Sequence, residues 1–251
     1  MFCPHCGKEL AEEQAFCQYC GLSLAQPTGP AEDIRSKTPW EERHEIGFFN
    51  GLFKTLKETL LEPSAFFRKM PVTGGLIDPL FYALIVGMAG LMVFYLWDIL
   101  LRAPLQNFMS PQLRAASERN VLYSHGGPFF AVLTPFFLLF WLFIISGVQH
   151  VILLVVRGAQ AGFEATFRVV SYSIAPFIFL LAPFCGMPVA STWMLVLAII
   201  GLKEAHRISG GKAAFAVLFP FLLCCGLFLL VIALFLSVLA ASVSGILQQY
   251  R

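Results

Sequence analysis

Charge is the scarcest commodity in this sequence. Asp, Glu, Lys and Arg together make up 13% of its 251 residues, where a soluble domain carries about a quarter. With 58% of positions hydrophobic, the shortage excludes an ordinary soluble fold and indicates an integral membrane protein. The net charge is only +2, and no basic stripe with interleaved aromatics is present, which excludes nucleic acid as a partner. Absent too are the His-Glu-x-x-His and Gly-x-Ser-x-Gly signatures that an intramembrane hydrolase would need. The nearest approach is Glu204-Ala205-His206, three adjacent residues at a helix end, where charge complementing the helix dipole is the simpler account. The chain therefore reads as a non-enzyme. The first twenty residues contain no continuous apolar run and so no secretory signal, which places the amino terminus in a reducing compartment.

What the beginning does contain is cysteine. Cys3, Cys6, Cys17 and Cys20 form two Cys-x2-Cys pairs separated by ten residues, each pair followed by glycine (Gly7 and Gly21). A Cys-x2-Cys turn aims two thiolates at one ion, and the glycine permits the positive φ of such a knuckle. Two knuckles give four-thiolate tetrahedral ligation, the closed geometry of a structural Zn2+ site with no open position for catalysis. His5 lies inside the first knuckle as a spacer. So small a module has almost no core, and metal binding supplies its folding energy. Cys185, Cys224 and Cys225 lie in apolar surroundings and read as small hydrophobes.

Four regions follow in order. Residues 1–24 are the zinc ribbon, 25–45 a flexible linker rich in Pro, charge and small polar residues, 46–71 amphipathic interfacial helices, and 72–251 a five-helix transmembrane domain. In the third region Phe49, Leu52, Phe53, Leu56 and Leu60 recur at helical spacing opposite Lys54 and Lys57, a pattern suited to a helix lying on a membrane surface. After Pro63, the expectation is that Phe66, Phe67 and Met70 face lipid while Arg68 and Lys69 face phosphates.

Spanning helices are expected at about 76–101, 129–156 and 213–245. Between the last two, Val169 to Lys212 holds two apolar segments of roughly 16 to 19 residues joined by the turn Pro183 to Pro188. At about 24 to 28 Å each, the arms are short for a crossing, so a re-entrant hairpin and a full one both remain open. Residues 158–168 read as a cytosolic link, and 102–127 as a loop on the far side with a short helix after Ser110-Pro111. Cations are distributed unequally. Lys54, Lys57, Arg68, Lys69, Arg157, Arg168, Lys203, Arg207 and Lys212 flank one side, against Arg102, Arg114, Arg119 and Arg251 on the other. By the positive-inside rule the chain is a multi-pass protein of the cell (inner) membrane, with a cytoplasmic amino terminus and an outer carboxyl terminus.

The segments Glu62 to Pro71 (EPSAFFRKMP), Ser171 to Pro176 (SYSIAP), the turn at Gly186 and Gly201 to Ser209 (GLKEAHRIS) resemble, in this order, the Yip domain family in its bacterial, zinc-ribbon-bearing form. The resemblance implies five spans, a cytosolic amino terminus and partners within the membrane. The expected function is a non-enzymatic adaptor or scaffold, recruiting a protein partner through the ribbon and organising lipid or membrane-protein partners. Gly87 and Gly90 are small-residue positions compatible with a homo-oligomer. The alternative is a transporter or lipid-handling protein. It would use a polar cavity at the proline-broken hairpin, with Asp78, Gln149, His150, Tyr172, Ser173 and Pro176 as its candidate residues.

Overall fold

The computed structural model describes residues 6–7, 19–20, 35–108, 110, 112 and 127–249. The chain divides into two units, 1–34 and 35–251. The regular elements described in the second unit are all helices: α1 (Arg43–Ile46), α2 (Phe48–Leu61), α3 (Pro63–Lys69), α4 (Ile77–Asn107), α5 (Gly127–Val155), α6 (Gly162–Tyr172), a 3-10 helix (Ala175–Leu181), α7 (Gly186–His206) and α8 (Gly210–Gln249). Among the described residues, five stretches are long and apolar enough to cross a membrane: Ile77–Leu101, Val132–Val155, Gly162–Leu181, Gly186–His206 and Gly210–Ser237. The all-α, five-helix expectation stands. The helix expected after Ser110-Pro111 lies outside the described residues.

Local chemistry sets the boundaries. Gly47, at φ 94°, turns the chain from α1 into α2 in a conformation closed to most L residues. Pro63 opens α3 at a first-turn position, where a missing N–H costs nothing. Pro176 sits at the start of the 3-10 helix and ends the α-helical ladder of α6 because it cannot donate. The third span is thus composite: roughly 16 Å of α-helix followed by roughly 14 Å of tighter 3-10 helix. Together these match the approximately 30 Å hydrocarbon thickness. The arm that looked short from Val169 reaches full length because it starts at Gly162.

That start corrects two expectations. Residues 162–168 belong to the buried helix α6 and not to a cytosolic link, and Arg168 is 1% exposed. Similarly, the described part of the expected linker, 35–45, packs into the domain. The Ser36 N–H donates to the Lys69 carbonyl at 2.9 Å, the Arg35 guanidinium donates to the carbonyls of Met70 and Ala205, and Trp40 is 1% exposed. We call residues 35–43 the strap. It crosses α2 so closely that a Cβ on Gly51 would lie 2.8 Å from the Pro39 carbonyl oxygen.

A third correction concerns α3. Phe66, Phe67 and Met70, expected to face lipid, are buried in the protein core. Phe66 packs edge-on against Tyr172, and Phe67 lies where Gly201 lets α3 approach α7. On α2, Leu56, Thr55 and Thr59 face the protein while Phe49 and Phe53 are exposed. The 3-10 helix packs between α4 and α7, α5 packs on α6, and α8 packs on α7 and α5. Gly87 and Gly90 serve contacts within the chain: added Cβ atoms there would fall 2.6 Å from Leu138 and 2.7 Å from the Phe177 carbonyl oxygen.

Candidate functional site

The polar groups of the spanning domain fall into three clusters, and the largest is built around the strap. In the turn Thr38–Glu41, the Thr38 N–H donates to Glu41 Oε2 at 3.1 Å while the Glu41 N–H donates back to Thr38 Oγ1 at 3.4 Å. This reciprocal pair holds the other carboxylate oxygen, Oε1, toward α6. There it accepts from the Arg168 guanidinium in a buried ion pair and from the Tyr172 hydroxyl at 3.1 Å. Thr38 Oγ1 lies 2.9 Å from the same Tyr172 oxygen. Arg168 Nη1 donates to the Gly75 carbonyl at 2.8 Å, and the Gly75 N–H donates to Glu164 at 2.6 Å. A guanidinium buried without such partners would be prohibitively costly. Here Glu41 supplies the countercharge, with Glu164 3.8 Å from Nη1.

The same strap fixes the start of α4. The Trp40 indole N–H donates to the Asp78 carbonyl at 2.8 Å, and Arg43 pairs with the Asp78 carboxylate at 2.7 Å while lying over the Trp40 ring. Asp78, a candidate cavity residue, is thus a first-turn carboxylate engaged by the strap.

The second cluster contains His150. Its Nδ1 lies 3.0 Å from Thr166 Oγ1, which in turn lies 2.9 Å from His206 Nε2. The Ala161 N–H donates to His206 Nδ1 at 3.1 Å, so that nitrogen carries no proton and the hydrogen of the neutral ring sits on Nε2. The His206 Nε2–H then donates to Thr166 Oγ1, which also shares a hydrogen bond with His150 Nδ1. The chain of three residues ties α5, α6 and α7 together.

The third feature is a cavity of about 420 Å3 between α5, the α6–3-10 arm, α7 and α8. Gln149, Ser173 and Ser191 line it, among Leu138, Trp141, Leu142, Ile174, Phe177, Met194 and Pro220. Gln149 and Ser173 are 4% and 1% exposed, and Gln149 Oε1 and Ser173 Oγ have no hydrogen-bond partner among the described residues. The six candidate cavity residues therefore divide. Gln149 and Ser173 line one apolar cavity, whereas Asp78, His150, Tyr172 and Pro176 do not. Tyr172 belongs to the strap cluster, His150 to the histidine cluster, and buried Pro176 terminates a helix.

Of the four cations expected at the membrane surface, Lys54, Lys57 and Lys69 are exposed along one cleft with Lys37. Arg68 donates from Nε to Glu204 at 3.2 Å, a bridge from α3 to α7. Sequence reasoning missed Thr38, Glu41, Arg43, Thr166 and His206 as members of these clusters. The one available signal was Arg168 itself, a cation set among apolar residues that demands a carboxylate from elsewhere.

Of the four cysteines, Cys3 and Cys17 lie outside the described residues. Cys6 and Cys20 are described, the first half-buried and the second exposed. Gly7 has φ 68°, the left-handed conformation predicted for the residue that follows a thiolate knuckle. The residues present fit a zinc ion, which would supply the cross-link that a core this small lacks.

Comparison with known proteins gives two family matches. Residues 2–24 match the zinc-ribbon domain, which supports zinc binding there, and residues 57–233 match the Yip1 domain. No curated protein and no solved structure matches the chain. The second match covers most of the sequence and contains α3, α6, the 3-10 helix and α7 entire. The chain is accordingly a member of the Yip1 domain family, a multi-pass membrane protein carrying a zinc ribbon at its amino terminus.

Proposed function

We propose that this protein is a non-enzymatic membrane adaptor, whose zinc ribbon recruits a protein partner at the cytosolic surface while its spanning domain engages lipid and membrane-protein partners. The observation that carries this reading is how the polar groups of the strap and histidine clusters are used. Glu41, Arg168, Tyr172, Thr38, Asp78, His150, Thr166 and His206 all bond to one another or to backbone. Groups consumed in this way hold helices in register and are not poised for an incoming substrate. The network also ties the chain just after the ribbon to the spanning domain, so a load taken up by the ribbon would be transmitted at the strap. Within this proposal Cys3, Cys6, Cys17 and Cys20 ligate one Zn2+, residues 25–34 act as the tether, and the amino terminus lies in the cytoplasm.

Transport is supported less well, because the cavity is lined almost wholly by apolar side chains and lacks Asp78 and His150. The decisive comparison uses Cys17→Ser in the full chain. The adaptor reading expects bound zinc to fall from one ion per chain to none, loss of the co-purifying cytosolic proteins, and an unchanged elution profile of the detergent-solubilised protein. If the variant retains the same captured proteins, the ribbon is not the docking element. Flux of ions or fluorescent lipid through reconstituted liposomes above that of empty vesicles would favour transport instead.

A further inference from the structure

A cleft of about 400 Å3 lies between the strap, α2 and α3. Lys37, Lys54, Lys57 and Lys69 line it, and so do Glu42, Glu58 and Glu62. The ion pairs found among the described residues include none of these seven side chains. Cations and anions thus share one concave surface without neutralising each other.

A second, apolar groove of about 720 Å3 begins where the cleft ends. Lys57 and Leu61 line both, and the groove continues along Leu60, Phe179, Pro188, Val189 and Trp193. On α7, residues 188–193 lie 11 to 16 positions before Glu204, the residue that pairs with Arg68. That is about 16 to 24 Å along the helix axis from the charged end of the domain. The groove therefore lies along the first turns of α7, away from the charged end that Glu204 and Arg68 mark. Lys57, with an aliphatic stem and an ammonium tip, suits the point where apolar groove meets polar cleft.

We propose that cleft and groove together bind one glycerophospholipid with a zwitterionic, primary-amine headgroup, namely phosphatidylethanolamine. Its phosphate lies among Lys54, Lys57 and Lys69, its ammonium donates to Glu58 and Glu62, and an acyl chain follows the groove along α7. The mixed charge selects this headgroup. A purely anionic lipid would leave the glutamates facing like charge. A choline headgroup lacks N–H donors for the carboxylates. Each charged hydrogen bond of this kind is worth roughly a tenfold change in retention.

The test uses the full-length protein in nanodiscs holding equal amounts of phosphatidylethanolamine, phosphatidylglycerol and phosphatidylcholine. It is then extracted in mild detergent and its retained lipid is identified by native mass spectrometry. The expected result is one phosphatidylethanolamine per chain, about tenfold over either competitor. Lys57→Ala with Lys69→Ala should lower all retention by a similar factor, whereas Lys212→Ala, outside the cleft, should not. Because loosening of the fold would also cost a lysine variant its lipid, Glu58→Gln with Glu62→Gln provides an independent reading. It should keep a lipid bound but abolish the preference over phosphatidylglycerol. Retention of no lipid, equal retention of all three, or preference for phosphatidylglycerol in the unaltered protein overturns the proposal. So does an unchanged preference in the glutamine variant.

Discussion

The two ends of the spanning domain are built from equally greasy sequence and behave differently. At the end nearest the strap, Tyr82, Ala83 and Val86 of α4, Leu142 and Leu153 of α5, residues 165–169, 171 and 172 of α6, Leu197, Ala198, Leu202 and Ala205 of α7 and Ala213, Ala216 and Val217 of α8 are buried against one another. Toward the other end, Met92, Leu96, Ile99 and Leu100 of α4, Val132 and Phe136 of α5, and Phe221 to Leu236 of α8 are largely exposed. Composition does not separate them. What does is the concentration, at the packed end, of buried polar partners and of glycines such as Gly87 and Gly201 whose missing side chains admit a neighbour. In lipid, apolar contact alone gives helices little reason to associate, so close packing and hydrogen bonds decide where they meet. The exposed end is the surface left for acyl chains or another membrane protein.

The sharpest way to break this contrast is to remove one partner of the buried ion pair. Glu41→Ala leaves Arg168 buried without its countercharge, and should lower unfolding free energy in detergent by about 3 to 5 kcal/mol, read from denaturant or thermal melts. Replacing both Glu41 and Arg168 by leucine should recover much of that loss. Next in size is a matched pair of truncations. Phe67→Ala at the packed end should cost about 3 kcal/mol or more, while Phe228→Ala, in the exposed stretch of α8, should stay near 0.5 kcal/mol. A matched pair of glycines follows. A Cβ on Gly201 would lie 2.5 Å from Val169, whereas one on Gly226 meets nothing within 4 Å. Gly201→Ala should therefore destabilise by about 1 to 3 kcal/mol, and Gly226→Ala should be neutral or slightly stabilising. The smallest effect is expected at Thr166→Val, which breaks the hydrogen-bonded link between His150 and His206 at about 1 to 2 kcal/mol. If the members of each matched pair proved equal, the two ends would not differ as described.

Long apolar runs made the spans legible in the sequence, and the cysteine spacing made the ribbon legible. What escaped was which apolar residues meet protein and which meet lipid. Phe66, Phe67 and Met70 have the hydropathy of lipid-facing residues, and only the approach of α7 through Gly201 buries them. The strap escaped for a related reason. TPWEER, Thr38 to Arg43, has the composition of a solvated linker, and the partner that buries Glu41 lies 127 residues away. Arg168 looked like the charged flank of a span because a cation usually stops at the membrane surface. Here the strap carries a carboxylate in to meet it. His150 was visible as an intramembrane histidine, but its connection to His206 depends on the packing of α6 between α5 and α7.

We propose that the packed, cation-rich end of the spanning bundle faces the reducing side of the membrane and that the amino terminus lies on that side. Labelling intact cells with a membrane-impermeant reagent, using one tag ahead of the ribbon and another after Arg251, tests it most directly. The account predicts labelling of the carboxyl-terminal tag alone, with the amino-terminal tag reached only after permeabilisation. Labelling of the amino-terminal tag in intact cells, or equal behaviour of the two, would contradict it.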